Sequence, residues 1–407
     1  MLRVGTPSRG ECSLLESIAT QELKTLLSGI RLPCALLDVD NYKANLATIG
    51  EAMKASGKKM RLCTKSIRVP ELAASVARED FVSGLFVSRA AEALYYAAEQ
   101  GVKDILLGYP LIAPEDARDL CKAKKEYGAA ISVVVDCTAQ VEVLETAAAG
   151  AGTRLDIIID IDVADSFIGM KVGTYRSPIH DPKSAVDLAI YIAKNCPHLD
   201  FAGIMGYEAQ NASIGDSSAF MRWIKARSRK HVNALRAAVV DALTGAGFPV
   251  RIVNGGGSGC YPDTAAEPSV TELGIGSLLF KSHLFDSFRV LEKYKPALFF
   301  ALQVVRKPCD CVSTAFSGGY VSSGVRAQPI VHAPAGISPL GREGFGEVQT
   351  PLKHDPEMLQ LNPGDVVLCR FGKAGEPLEH FNEVLAISDG SIKTSYKTYR
   401  GLGLQFF

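Results

Sequence analysis

The sequence predicts an α/β fold, a (β/α)8 TIM-type barrel followed by a mostly β C-terminal domain, on three observations. Short apolar, β-rich runs alternate with longer segments of helical spacing from about residue 58 to about residue 285. There are eight such runs, and several are apolar at consecutive positions, as expected of parallel strands covered on both faces. From residue 289 onward the pattern changes to strand-like runs separated by Gly/Pro-rich loops.

In chain order, LPCALLDVD (32–40) reads as a strand, and Asn41 to about Ser56 has helical spacing. The barrel strands are expected at KMRLCTK (59–65), GLFVS (84–88), ILLGYPLI (105–112), ISVVVD (131–136), LDIIIDID (155–162), LDFAGIMGY (199–207), VRIVNGGG (250–257) and LGIGSLLF (273–280). Helices are expected between them, for example over 89–100, 182–195 and 218–245. In the last part, ALFFALQVV, GDVVLCRF and NEVLAIS are strand-like, while SGGYVSSG and HAPAGISPLGREGFG read as loops. The expected division is therefore an N-terminal extension (1–57), a barrel (58–288) and a C-terminal β domain (289–407), packed together because no flexible linker intervenes.

Composition excludes several classes of function. Lys plus Arg (44) equals Asp plus Glu (44), so no net field favours nucleic acid or an acidic membrane. The apolar stretches are broken by charge before the roughly 20 residues a bilayer span requires, and no apolar h-region follows the first basic residue, so neither a transmembrane helix nor a secretory signal is expected. Ten cysteines scattered through 407 residues are expected to be reduced thiols in the cytoplasm.

Catalytic groups of a βα barrel sit at the C-terminal strand ends, where the βα loops open. Those ends carry Lys65, Ser88-Arg89, Tyr109, Asp136, Asp160 and Asp162, Tyr207-Glu208, a glycine run, and Gly276-Ser277. The run Asn254-Gly255-Gly256-Gly257-Ser258-Gly259 offers backbone N–H groups unshielded by side chains, with Ser258 adding a hydroxyl, at the position where such barrels hold phosphate. It lacks the Gly-Lys-Ser/Thr ending of a P-loop. Lys65 follows an apolar strand on the same face, and an amine opposite a phosphate cradle suggests a Schiff base with pyridoxal 5'-phosphate.

These segments resemble the fold-type III pyridoxal-phosphate enzymes, the alanine racemase superfamily, from about residue 30 to the end. Leu37-Asp38-Val39-Asp40, Asn45-Leu46 and Thr64-Lys65 carry the general likeness. Met205-Gly206-Tyr207-Glu208-Ala209-Gln210, the glycine run, Lys373-Ala374-Gly375-Glu376 and Thr398-Tyr399-Arg400-Gly401 are most similar to the D-threonine aldolase and D-serine dehydratase branch, especially its amino acid deaminase/aldolase members. The resemblance implies that Lys65 forms the cofactor linkage, that Gly255 to Gly259 with Gly276 and Ser277 hold the phosphate, and that Tyr207 lies at the cofactor ring. Arg89 and Arg176 become candidates for the cofactor hydroxyl or the substrate carboxylate, Arg176 within an Arg-Ser-Pro shared with the deaminase/aldolase members; surface ion pairs are the alternative. Tyr207, Glu208 or a C-terminal-domain group are candidate acid-base groups beside Lys65. A homodimer is implied, with the C-terminal domain of one subunit over the barrel mouth of the other.

The chain departs from the metal-dependent members at one place. Where they carry His-x-Cys or His-x-Asp, this sequence has Lys373-Ala374-Gly375, and neither a protonated lysine nor glycine ligates a divalent ion, so no metal is expected. Lys373 is instead a candidate fixed cation. His380-x-Asn382 repeats the spacing with a poor ligand, and Cys309-x-Cys311 is expected to be a pair of ordinary β-domain thiols. The expected activity is a pyridoxal-phosphate lyase or dehydratase acting on a small β-hydroxy amino acid of D configuration. A racemase on the same fold and a non-catalytic pyridoxal-phosphate carrier are the alternatives; a carrier has no use for the C-terminal 120 or so residues.

Overall fold

The computed structural model describes residues 14–167, 169–324 and 328–407. Eight parallel strands close a barrel: β2 (Lys59–Cys63), β3 (Val82–Val87), β4 (Asp104–Leu107), β5 (Ala130–Val135), β6 (Leu155–Asp160), β9 (Leu199–Gly206), β10 (Ile252–Gly255) and β11 (Glu272–Ile275), with β11 returning to β2. Along each strand, alternate residues face opposite ways. Leu106, Val134, Ile158, Ala202 and Met205 pack with one another inside the barrel. Their neighbours Leu107, Val133, Ile157 and Ile159 join the larger core under the helices. This two-sided burial explains why the strands read as continuous apolar runs. Most barrel strands end within a residue or two of their sequence runs; β4 and β11 end sooner, the latter because Gly276 turns the chain into a 3-10 turn (Ser277–Leu279).

The intervening helices include Ala90–Glu99, Pro114–Tyr127, Thr138–Ala151, Pro182–Asn195 and Ala219–Gly245. Proline opens the second and fourth, where its missing N–H costs no intrahelical bond. Gly128 and Gly152 close the second and third in the left-handed conformation. A short antiparallel pair, β7 (Asp165–Phe167) and β8 (Met170–Val172), projects after β6.

The C-terminal region builds a sheet around the long strand β12 (Leu298–Cys309), with β13 (Val312–Phe316), β14 (Ile330–Ala333), β15 (Ser338–Pro339), β16 (Gln349–Lys353), β17 (Val366–Arg370), β18 (Glu383–Ser388) and β19 (Ser391–Lys397). The strand predicted near residue 32 is β1 (Cys34–Asp38), and it pairs antiparallel with β12 and parallel with β18. The start of the chain thus completes the C-terminal sheet. β14 and β15 overlap the segment read as a Gly/Pro-rich loop, and β15 pairs through only two residues. From β1 the chain enters the helix Val39–Ser56, capped by the Asp38 carboxylate on the Asn41 N–H at 2.9 Å. Asn45 on this helix donates to the carbonyls of Leu279 (3.1 Å) and Lys295 (2.8 Å), fixing it to the segment that joins barrel and sheet.

Candidate active site

The 3-10 turn Thr64–Ser66 follows β2 and swings Lys65 into the barrel mouth. The neighbours on either side are buried, while the Lys65 side chain opens to the mouth and its Nζ donates to the Tyr109 hydroxyl at 2.9 Å. Burial pushes the Lys65 ammonium down, but the hydrogen bond to Tyr109 together with the neighbouring Cys63 and Tyr207 outweighs it and holds the pKa above its ordinary value. Tyr109, two residues past β4, belongs to the site although sequence reading marked it only as a strand end.

The turn is braced from behind. Thr64 Oγ1 donates to the Phe86 carbonyl at 3.1 Å. Arg68 adopts a left-handed φ of +48°, a conformation that costs a non-glycine residue about 1–2 kcal/mol. Contacts from the C-terminal domain offset that cost: the Tyr399 N–H donates to the Arg68 carbonyl at 3.0 Å and the Arg68 guanidinium pairs with Glu379 at 2.8 Å. The Tyr399 hydroxyl donates at 2.6 Å to the buried Glu92 carboxylate, which also receives the Ser88 N–H at 2.8 Å. The closing Thr398-Tyr399-Arg400-Gly401 motif is thereby a brace behind Lys65.

Two strands from β2 around the barrel, beyond β11, β10 delivers the glycine run. Gly256 has φ +77°, which a side chain rarely tolerates. A Cβ at Gly257 would lie 2.7 Å from the Ala212 Cβ, and one at Gly259 would lie 2.1 Å from the Ala212 carbonyl oxygen. Among the described residues, the backbone N–H groups of Gly256, Gly257, Ser258, Gly259 and Gly276 have no hydrogen-bond acceptor. A cluster of orphan N–H donors at a strand end suits an anion. The Ser258 Oγ accepts the Leu278 N–H at 3.2 Å, which ties the loops after β10 and β11 together and leaves its own O–H free to donate. Ser277 Oγ donates to Ser66 Oγ at 2.8 Å, which links the cradle to the Lys65 turn.

Beneath Gly255 lies the fully buried Arg236, whose Nη2 donates to Glu208 at 2.6 Å and to the Gly206 carbonyl at 2.9 Å, and whose Nη1 pairs with Glu267. Glu208 also accepts from Cys260 and Thr264. Its carboxylate is thus buried and engaged under the cradle, so the expectation of Glu208 as an acid-base group at the mouth is corrected.

The third wall comes from β6, β9 and the segment after β8. Tyr207 follows β9, the Arg176 guanidinium lies 5.2 Å from its ring centre, and its hydroxyl is 3.4 Å from Ser213 Oγ. Burial raises the Tyr207 phenol above its usual range. Between them is a cavity of about 10 Å³, room for one water, that Asp160 also lines. Asp162 pairs with Lys171 and lies 3.4 Å from His180. Lys171 escaped the sequence reading because it stands on β8, outside the strand-end rule that located the other groups. Arg89 is exposed at the start of the helix Ala90–Glu99, with no side-chain partner among the described residues.

Lys373 is half-buried, with Nζ 3.3 Å from Ser323 Oγ and its N–H donating to Ser322 Oγ at 3.0 Å. Gly375 packs directly on the Lys65 turn: a Cβ there would lie 1.9 Å from the Lys65 carbonyl oxygen. No ligating side chain fits at 375 on this backbone, so these residues do not fit a divalent ion held as a His-x-Cys pair would hold it. His380 is exposed and faces Tyr320, with ring centres 5.3 Å apart.

Residues 37–283 match the family model described as alanine racemase, N-terminal domain. The chain is 28% identical over 257 residues to a 3-hydroxy-D-aspartate aldolase of Paracoccus denitrificans, covering 62% of this chain and 61% of that protein. It is 23% identical over 256 residues to a D-threo-3-hydroxyaspartate dehydratase of Delftia sp. strain HT23, covering 63% and 62%. The matched stretch thus spans about three fifths of the length of these curated relatives. The crystal structure of D-threonine aldolase from Filomicrobium marinum superimposes with a TM-score of 0.80 at 18% identity, covering 92% of this chain and 96% of that one, a likeness of fold.

Proposed function

The chain belongs to the alanine racemase N-terminal domain family, and on that premise we propose that it is a pyridoxal-phosphate-dependent lyase, of aldolase or dehydratase type, acting on a small β-hydroxy amino acid of D configuration. One observation carries this reading: the Lys65 side chain opens at the same end of the barrel as a cradle of orphan N–H groups, with both loops of the cradle tied to each other and to the Lys65 turn. The activities named for the curated relatives, aldol cleavage and dehydration of hydroxylated D-amino acids, support the substrate class.

The residues fit pyridoxal 5'-phosphate. Lys65 would carry its carbonyl carbon, Gly255, Gly256, Gly257, Ser258 and Gly259 with Gly276 and Ser277 would hold its phosphate, and Tyr207 would lie at its ring. Bound there, the cofactor supplies an electron sink for charge developing at the substrate α-carbon. The protein's own groups decide which bond is broken by orienting the substrate and by placing proton donors and acceptors beside it. The Lys65 amine can take or return a proton on its face, and the Tyr109 hydroxyl hydrogen-bonds to it at 2.9 Å. Arg176 and Arg89 are cations suited to the substrate carboxylate or the ring hydroxyl. Lys373 donates a charged hydrogen bond to the substrate hydroxyl or carboxylate. We further propose a homodimer in the cytoplasm, divided as 1–57, 58–288 and 289–407; all nine described cysteines are free thiols, which suits a reducing compartment.

Borohydride reduction followed by peptide mass spectrometry is the test of the site, with the pyridoxyl group expected on Lys65 and absent in Lys65→Ala. A pyridoxyl group on another lysine removes the assignment. Activity is tested with D- and L-serine, threonine and 3-hydroxyaspartate while aldehyde, keto acid and enantiomer are all monitored. Formation of the enantiomer alone would replace the lyase with a racemase.

A further inference from the structure

The hairpin that joins β12 to β13 ends in Cys309-Asp310-Cys311, a pair that the catalytic reading leaves unused. The two sulfur atoms are 3.5 Å apart, which is contact distance. Among the described residues Cys309 is the one exposed cysteine; Cys311 is half-exposed, and Cys34, Cys121, Cys196, Cys260 and Cys369 are buried. At the tip Cys309 pairs with Val312, and the His354 N–H donates to the Cys311 carbonyl at 3.0 Å. The β12–β13 pairing shifts register between Arg306 and Cys309 and resumes at Cys309 with Val312, so Asp310 and Cys311 form the turn.

We propose that Cys309 and Cys311 form a thiol–disulfide exchange site that takes small-molecule disulfides such as oxidised glutathione. The Cys309 thiolate attacks one sulfur of the disulfide, forms a mixed disulfide and expels one thiolate, which takes up a proton. The Cys311 thiolate then attacks the Cys309 sulfur and expels the second thiol. Two protein thiols are oxidised to one disulfide, and one small disulfide is reduced to two thiols. Cys309 is the attacking group: it is the more exposed, and the hydrogen bond from Cys311 lowers its pKa below the usual thiol range while raising that of Cys311. A disulfide closing so short a loop removes little chain entropy from the unfolded state, so its use lies in exchange and not in stabilisation. Exposed disulfides are the readily exchanged ones.

The test uses the full-length protein in graded ratios of oxidised to reduced glutathione, quenched in acid and alkylated with N-ethylmaleimide in denaturant. Mass spectrometry of the peptide holding both cysteines is expected to find it two hydrogens lighter and without adducts at the oxidising end, returning to the doubly alkylated form at the reducing end. Cys311→Ser is expected to trap glutathione on Cys309, at least about tenfold faster than Cys309→Ser traps it on Cys311. Double alkylation of the wild type at the oxidising end overturns the proposal, as does a disulfide between two copies of the chain or equal trapping rates in the two variants.

Discussion

Asp160 ends β6 with its carboxyl buried and accepting no hydrogen bond among the described residues. Burial, with the charges of Asp136 and Asp162 adding and that of Arg176 subtracting, pushes its pKa up to about 7. The folded protein therefore holds this proton more tightly than the unfolded chain does. Its contribution falls as pH rises from the ordinary carboxyl range to about 7, and the penalty persists above that. Asp160→Asn cannot ionise, so it is expected to melt higher than wild type at pH 8 by a stability difference on the order of a few kcal/mol, and not to melt higher at pH 4. Equal melting shifts at both pH values would remove the raised pKa. At Lys373, activity is expected to survive exhaustive chelation, and Lys373→Met to lose about 1.5–3 kcal/mol of transition-state binding, roughly ten- to a hundredfold in kcat/KM. Stoichiometric zinc in the purified enzyme, or full activity of Lys373→Met, would show that this cation has no such role.

A strand that stops sharply is the device from which the mouth is built. β2 stops at Cys63 and β11 at Ile275, and the 3-10 turns that follow each present Lys65 and Ser277 on the same face. β10 stops at Gly255, and the left-handed Gly256 turns the chain so that the following N–H groups are left without acceptors. Gly256→Val is expected to reduce pyridoxal-phosphate retention far more than Ser258→Ala. Valine is strained at φ +77°, whereas removing the Ser258 hydroxyl deletes one hydrogen bond to the Leu278 N–H, worth about 1 kcal/mol. Dialysis followed by cofactor absorbance measures both, and equal losses would mean that the backbone is not the anion site.

Across the whole molecule, the C-terminal sheet does more than stand beside the barrel. It takes in β1, holds Arg68 through Tyr399 and Glu379, and presses Gly375 on the Lys65 carbonyl, so the lysine's backbone is shaped by residues from the other end of the chain. The contact is made within one chain, and the role proposed for a partner subunit concerns the open mouth above it. Sedimentation at assay concentration is expected to give a dimer, and a fully active monomer would remove the partner from the site.

Local order in the chain determined the barrel, since each βα unit repeats its own period of apolar residues and the strand-end rule needs no knowledge of distant partners. That is why the placing of Lys65, the glycine run and Tyr207 at strand ends was legible, along with strands such as β5 and β6. Tertiary structure alone decided what surrounds them. β1 reads as any buried strand until β12 and β18 provide its edges. Tyr109 becomes the partner of Lys65 only when β2 and β4 lie two places apart in a closed barrel. Glu208, adjacent to Tyr207, is withdrawn from the mouth because side chains alternate across a strand end and Arg236 waits on the other side. Asp160 and Asp162 look equivalent in sequence, yet Asp162 gains Lys171 while Asp160 has no ion pair among the described residues. Hydrophobic period is a property of neighbours along the chain, whereas burial, pairing and pKa are set by neighbours in space.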